Sequence, residues 1–157
     1  MKPDGNFGTL SSPNPEDISS YKMSLRTATI EDELILVNDP DADRLATVDE
    51  NGNPLGEEYT LVLAADGYMK ETNKTDPFVV NLSTSLALEK LAELNNISVA
   101  RTAVGEINVV NKMNDIGSEL GGEGNGGVIL RECHLGRDSL LGATMVLNRM
   151  SQTENSL

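Results

Sequence analysis

The sequence predicts an α/β domain, with helices layered on a sheet, and three observations carry that prediction. Apolar runs of strand length, Phe78-Val79-Val80-Asn81-Leu82 and Ile97 to Thr102, alternate with stretches whose apolar residues recur at helical spacing. The helical stretches are long enough to act as crossovers, so the strands they join are expected to pair in parallel through right-handed connections. Turn and cap residues punctuate each change of period, among them Asn95-Asn96 and Val104-Gly105-Glu106.

The elements follow in order. Residues 1 to about 20 are rich in Pro, Gly, Asn and Ser, with turn chemistry at Pro3-Asp4-Gly5 and Ser12-Pro13-Asn14-Pro15-Glu16. This is an odd start for an independent domain and reads as a loop from within something larger. A short helix is expected near Glu16-Asp17-Ile18 and Tyr21-Lys22-Met23. Glu33 to Val37 and Arg44 to Val48 read as strands around an acidic loop, and Asn51-Gly52 as a two-residue hairpin turn. A helix is expected from about Glu57 to Met69, with Tyr59, Val62, Leu63 and Tyr68 near helical spacing and Gly67 marking its end. Ser83 is the expected N-cap of the next helix, which carries Leu86, Leu88, Leu91, Ala92 and Leu94. A third helix is expected to carry Ile107, Val110 and Met113. The stretch Gly121-Gly122-Glu123-Gly124-Asn125-Gly126-Gly127, five glycines in seven residues, is read as a loop that approaches something closely. A short strand from Val128 to Leu130, a last helix from about Ser139 to Met150 and a polar tail from Ser151 complete the chain.

Composition bounds the rest. At 157 residues the chain holds one domain, or one and part of another, and its 38% apolar content with only two Phe, three Tyr and no Trp calls for an aliphatic core. The single cysteine, Cys133, excludes an internal disulfide framework, suits the reducing cytoplasm, and is expected to pack as a small hydrophobe. No apolar segment near Met1 to Asn6 resembles a signal peptide, and no window is long enough to span a bilayer. A net charge of −13 argues against nucleic acid and anionic membranes as partners. An anionic substrate would need local cations, for which Arg44, Arg101, Lys112, Arg137 and a bound metal are the candidates, with Lys112 read as an ordinary exposed residue.

Asp39, Asp41 and Asp43 stand at every second position after the apolar run Leu34 to Val37. In extended or gently curved backbone such residues point the same way, and three converging carboxylates repel unless a cation sits between them. A hard divalent ion, Mg²⁺, fits oxygen ligands of this kind. The plain alternative is a solvated Asp/Pro turn. An EF-hand loop is rejected, because Arg44 stands where the sharp turn needs Gly and the flanks read as strands. The glycine-rich stretch lacks the Lys-Ser/Thr of a phosphate-binding P-loop. With Glu123 and Asn125 amid glycines it suits a sugar, whose hydroxyls both side chains can meet, or else is a flexible connector. His134, the only histidine, is read as structural or exposed. Asp138 is a candidate helix N-cap, and Arg137 either accompanies it or faces a ligand phosphate bidentately. Glu106 is placed either to cap a helix or to meet a substrate hydroxyl.

Taken together, these stretches resemble the α-D-phosphohexomutase family: phosphoglucomutases, phosphomannomutases and phosphoglucosamine mutases. Asp39-Pro40-Asp41-Ala42-Asp43-Arg44 looks like that family's Mg²⁺ loop. Val104-Gly105-Glu106 looks like its turn before a domain-three helix, and Gly122-Glu123-Gly124-Asn125-Gly126-Gly127 like its sugar-specificity loop. Pro3-Asp4-Gly5-Asn6-Phe7 and Pro13-Asn14-Pro15-Glu16 look like the stretch upstream of the metal loop, so the likeness covers residues 3 to about 148. One departure lies inside it, since the specificity loop ends Gly126-Gly127 where many members carry Gly-His.

The resemblance implies a mixed, mainly parallel sheet in residues 55 to about 150, matching domain three of four, preceded by the latter part of domain two to about Pro54. It also implies transfer of a phosphoryl group between O1 and O6 of a glucose, mannose or glucosamine phosphate through an enzyme phosphoserine. Mg²⁺ would sit on Asp39, Asp41 and Asp43, with Arg44 as a second positive group and Glu106 as a base. Gly105, Glu123, Asn125 and Arg137 would contact the substrate. The family's Thr-x-Ser-His-Asn-like phosphoserine motif and its basic, Ser/Thr-rich phosphate loop occur nowhere in this sequence. The isolated chain is therefore expected to be inactive without the remaining domains. A separate, structural reading is that half of domain two cannot bury its apolar face alone, so that the first 50 residues are loosely held or associate with another chain. The alternative is a non-enzymatic acidic module that binds divalent metal or sugar phosphate.

Overall fold

The structure, a computed structural model, describes residues 34–153. The turns and short helix expected before Glu33 lie outside the described residues. Leu34–Asn38 (β1) and Leu45–Asp49 (β2) form an antiparallel pair closed by the acidic loop. Glu57–Thr72 (α1), Phe78–Asn81 (β3), Leu86–Leu94 (α2), Val99–Thr102 (β4), Glu106–Ile116 (α3), Leu120–Glu123 (β5), Gly127–Leu130 (β6) and Ser139–Thr153 (α4) make the rest. The sheet order is β4-β3-β5-β6, with β3 parallel to both β4 and β5, and β6 antiparallel to β5. The predicted α/β class holds, as a mixed, mainly parallel sheet.

Burial explains the layering. Every residue of β3 is buried, as a β-branched run covered on both faces should be. Phe78 and Val80 face one cluster with Leu61, Tyr68, Leu88, Ala92, Leu120, Val128 and Met145, which draws α1, α2 and α4 to that side. Val79 and Ile129 face the other way, onto Val109 and Met113 of α3. None of the described helices is long and apolar enough to cross a membrane.

Several elements depart from expectation for identifiable reasons. Gly67 does not end α1 but lies buried within it, where an added Cβ would sit 3.0 Å from both Arg149 Cβ and Met145 O of α4. Its missing side chain allows the two helices to cross closely. The helix ends instead at left-handed Asn73 (φ 53°), whose N–H donates to Met69 O. Ser83 does not cap α2, because its hydroxyl donates to Asn81 Oδ1 at 2.9 Å, and Ser85 caps by accepting from Ala87 N. On α3, Val109 and Met113 are buried whereas Ile107 is exposed. Cys133 is exposed, because the turn after β6, bonded through Cys133 N to Leu130 O, carries it outward. At Asn51-Gly52 only Gly52 is left-handed, and the Asp49 carboxylate closes the turn by accepting from Asn51 N and Asn53 N. The last helix continues past Met150 to Thr153.

The largest departure concerns the glycines. Gly121 and Gly122 are buried in β5 and Gly127 opens β6, leaving only Gly124-Asn125-Gly126 as the turn. A Cβ on Gly121 would lie 2.6 Å from Met113 Sδ, and one on Gly122 would overlap Gly127 O. Their backbone is close-packed in a sheet.

Asp138 caps α4 as expected, accepting from Leu140 N at 2.8 Å and Leu141 N at 3.0 Å. The Leu141 N–H, aided by His134, holds its carboxyl below the usual carboxylate range. A depressed carboxylate contributes stability above its unfolded pKa and loses it as pH falls through the folded value. Asp138→Ala should therefore cost about 1 kcal/mol at pH 7, with the gap from wild type closing below about pH 4. Asp138→Asn should cost a few tenths of that amount. Urea melts across pH check this, and a gap that stays constant with pH would contradict it.

Candidate functional site

Sheet topology places the site. After β4 the chain crosses over α3 to the opposite side of β3, so strand order reverses beside the carboxyl end of β3. Open α/β sheets leave a crevice at such a reversal. Asn81 ends β3, Gly105 and Glu106 follow β4, and Glu123 ends β5, so all four reach that one edge.

Glu123 is 3% exposed and fully engaged. Its Oε1 accepts from Asn81 Nδ2 at 2.7 Å and from Gly105 N at 3.1 Å, while Oε2 accepts from Arg137 Nη1 at 2.5 Å. Asn81 is buried, and its Oδ1 accepts from Ser83 N, Ser83 Oγ and Thr84 Oγ1. Asn81 is not among the candidate residues that the sequence singles out. The available signal was a polar side chain ending an otherwise apolar buried strand.

Arg137 links the elements. Its Nε donates to Glu106 Oε2 at 3.0 Å, Nη1 to Glu123 and Nη2 to Asp43 Oδ2. Gly127 permits this, since a Cβ there would overlap Arg137 Cδ and lie 2.9 Å from its Cγ. Asn125, in the turn, accepts from Gly127 N at 3.3 Å.

The acidic loop reaches the same edge from β1 and β2. Leu45 N donates to Gly126 O at 3.1 Å, Thr60 Oγ1 to Leu45 O at 2.7 Å and Ser139 N to Ala42 O at 3.0 Å. Oxygens of Asp39, Asp41 and Asp43 lie within 4.8 Å of one another. A turn produces this convergence where extended backbone was expected: Ala42 is left-handed (φ 59°), and its N–H donates to Asp39 O at 3.1 Å. Burial works against ionising Asp39, but the Arg44 N–H and its guanidinium, 2.6 Å away, outweigh it and hold the carboxyl low. Burial and the neighbouring Asp39 push Asp43 up, against the pull of Arg137.

Asp39, Asp43, Glu106 and Glu123 thus pair with two guanidinium groups, those of Arg44 and Arg137, and Asp41 adds a fifth carboxylate beside them. The donor set is all oxygen and the charge remains negative, which fits a hard divalent cation at the aspartates. Among the described residues, the other candidate cations form no ion pair with these carboxylates. Arg101 is committed to Glu89 and to the carbonyls of Asn81, Leu82 and Thr84. Lys112 is on α3, and exposed His134 pairs with Asp138.

Comparisons with known proteins bear on the same stretches. Residues 56–157 match the family model described as phosphoglucomutase/phosphomannomutase, alpha/beta/alpha domain III, and residues 1–52 match that for domain II. A phosphoglucomutase/phosphomannomutase of Thermococcus kodakarensis is 33% identical over 140 residues, covering 88% of this chain and 30% of that protein. A phosphoglucosamine mutase of Bacillus mycoides is 37% identical over 124 residues, covering 78% of this chain and 28% of its own length. A phosphoglucomutase/phosphomannomutase family protein from Burkholderia thailandensis shares the fold at TM-score 0.77 and 20% identity, over 91% of this chain and 31% of that one. The chain spans about a third of the length of the curated relatives it matches.

Proposed function

The chain belongs to the phosphoglucomutase/phosphomannomutase family, and from that premise we propose that it supplies the metal-holding and sugar-holding parts of a cytoplasmic enzyme that interconverts hexose 1- and 6-phosphates. One observation carries this reading: Arg137 bridges Asp43 of the acidic loop to Glu106 and Glu123 beside the glycine turn. Cation ligands and hydroxyl acceptors thus share one crevice, as phosphoryl transfer on a sugar requires. On this reading domain two gives way to domain three at about Pro54.

Asp39, Asp41 and Asp43 would hold Mg²⁺, which when bound neutralises charge on a transferring phosphoryl group. Arg44, fixed against Asp39, adds positive charge at that end of the crevice. Asn125, in the turn, would meet a sugar hydroxyl through its amide, whereas Glu123 would do so only by exchanging Asn81, Gly105 or Arg137 for the hydroxyl. Gly105 lines the site as backbone, and Glu106 would take the proton from the reacting hydroxyl. The glucose, mannose and glucosamine phosphates remain the substrate class. The nucleophilic phosphoserine belongs to the remaining domains, so this chain alone should show no mutase turnover.

Titration calorimetry with MgCl₂ tests the core of this. Asp41→Asn, an exposed position, should weaken Mg²⁺ binding on the order of tenfold or more. Unchanged binding, or a preference for Ca²⁺ with no response to a hexose phosphate, would favour a plain metal-binding module. Mutase turnover by the isolated chain would show that the phosphoryl-carrying group has been misplaced.

A further inference from the structure

We propose that Arg137 is a built-in competitor for the cation, holding Asp43 while the aspartates are empty and surrendering it when a divalent ion binds. The inference rests on the reading of Asp39, Asp41 and Asp43 as cation ligands. Nη2 of Arg137 pairs with Asp43 Oδ2, on one of the three carboxylates that a cation on that loop would use. The same guanidinium keeps two further partners, Glu106 at 3.0 Å and Glu123 at 2.5 Å, so release of Asp43 leaves it anchored. That third, exchangeable contact makes Arg137 a positioning residue whose neighbours register whether the cation is present.

The arrangement is built in rather than incidental. Gly127 has no side chain where the Arg137 stem passes, and a Cβ there would overlap Arg137 Cδ. Arg137 is 19% exposed, and the carboxylates it gathers come from three separate parts of the chain. Without its charge, Asp43 is left to the other aspartates and Arg44, whose Nε lies 3.5 Å from Asp43 Oδ1. A positive charge beside a divalent ion weakens its binding by an amount that Coulomb's law makes about tenfold at this range and partial exposure.

Calorimetric titration of the full chain with MgCl₂ discriminates. Arg137→Gln should bind Mg²⁺ about tenfold more tightly than wild type. Gly127→Ala, which displaces the arginine stem without removing its charge from the protein, should shift affinity in the same direction. Lys70→Gln, which makes the same change in net charge on the far part of α1 beside Asp66, should leave affinity unchanged. A merely structural role for Arg137 predicts the opposite sign, since a disordered loop would bind the ion more weakly. Equal or weaker binding in Arg137→Gln and Gly127→Ala therefore overturns the proposal. Should those variants lose their far-UV circular dichroism, the wild-type protein still decides. Saturating Mg²⁺ should move the Arg137 Nε–H resonance but not that of Arg101, and an unmoved Arg137 signal overturns the proposal. Wild-type protein that binds no Mg²⁺ would sink both this inference and the assignment of the aspartates, whereas normal Asp41-dependent binding with no Arg137 effect sinks this inference alone.

Discussion

Gly126→Ala is expected to destabilise the fold by about 3 kcal/mol, combining left-handed strain of about 1 kcal/mol or more with overpacking of similar or larger size. Gly126 has φ 88°, and a Cβ built on it would overlap Leu45 O and lie 3.0 Å from Leu45 N. The same residue's carbonyl accepts from Leu45 N, so displacing the backbone also loosens the attachment of β2 to the turn. Gly52→Ala is the control. It sits at φ 80° with nothing within 4 Å of its added Cβ, so it should cost about 1 kcal/mol from strain alone. Urea unfolding midpoints for the two variants separate strain from packing, and equal losses would refute the packing argument.

Asn81→Asp is expected to have a comparable effect, about 3 kcal/mol at neutral pH, although the side chain keeps its shape. The substitution replaces the Nδ2 donor, 2.7 Å from Glu123 Oε1, with a second carboxylate facing a nearly buried one. Such a pair binds a proton more readily when folded than when unfolded. Stability should therefore recover as pH falls below neutrality and the pair takes up that proton. A thermal melt series from pH 7.5 to 5 checks the sign. Loss of stability on acidification relative to wild type would contradict the buried contact between positions 81 and 123.

The framework was legible because its signals are local. The buried run Phe78-Val79-Val80 sits between helix signals, and period and punctuation suffice to read such an alternation. The Asp39, Asp41 and Asp43 cluster was legible as a cluster for the same reason, although a left-handed residue at Ala42 brings the carboxylates together where alternation along a strand was expected. Long-range features were not legible. Gly67 and Gly121 look like breakers in one dimension, and only the neighbours that fill their missing side chains, Arg149 and Met113, explain them. Arg137 reads as a cation in the sequence, but its three carboxylates come from positions 43, 106 and 123, which no spacing rule connects. Asn81 was overlooked because its importance lies 42 residues away, at Glu123.

The stitching of Ala42 and Leu45 to Ser139 and Gly126 has a mechanical consequence. Rocking the acidic loop away from the glycine turn and the start of α4 would break the two main-chain bonds along with the Arg137 contact to Asp43. These two parts therefore travel as a single jaw. Any motion that widens the crevice is expected at elements outside this seam.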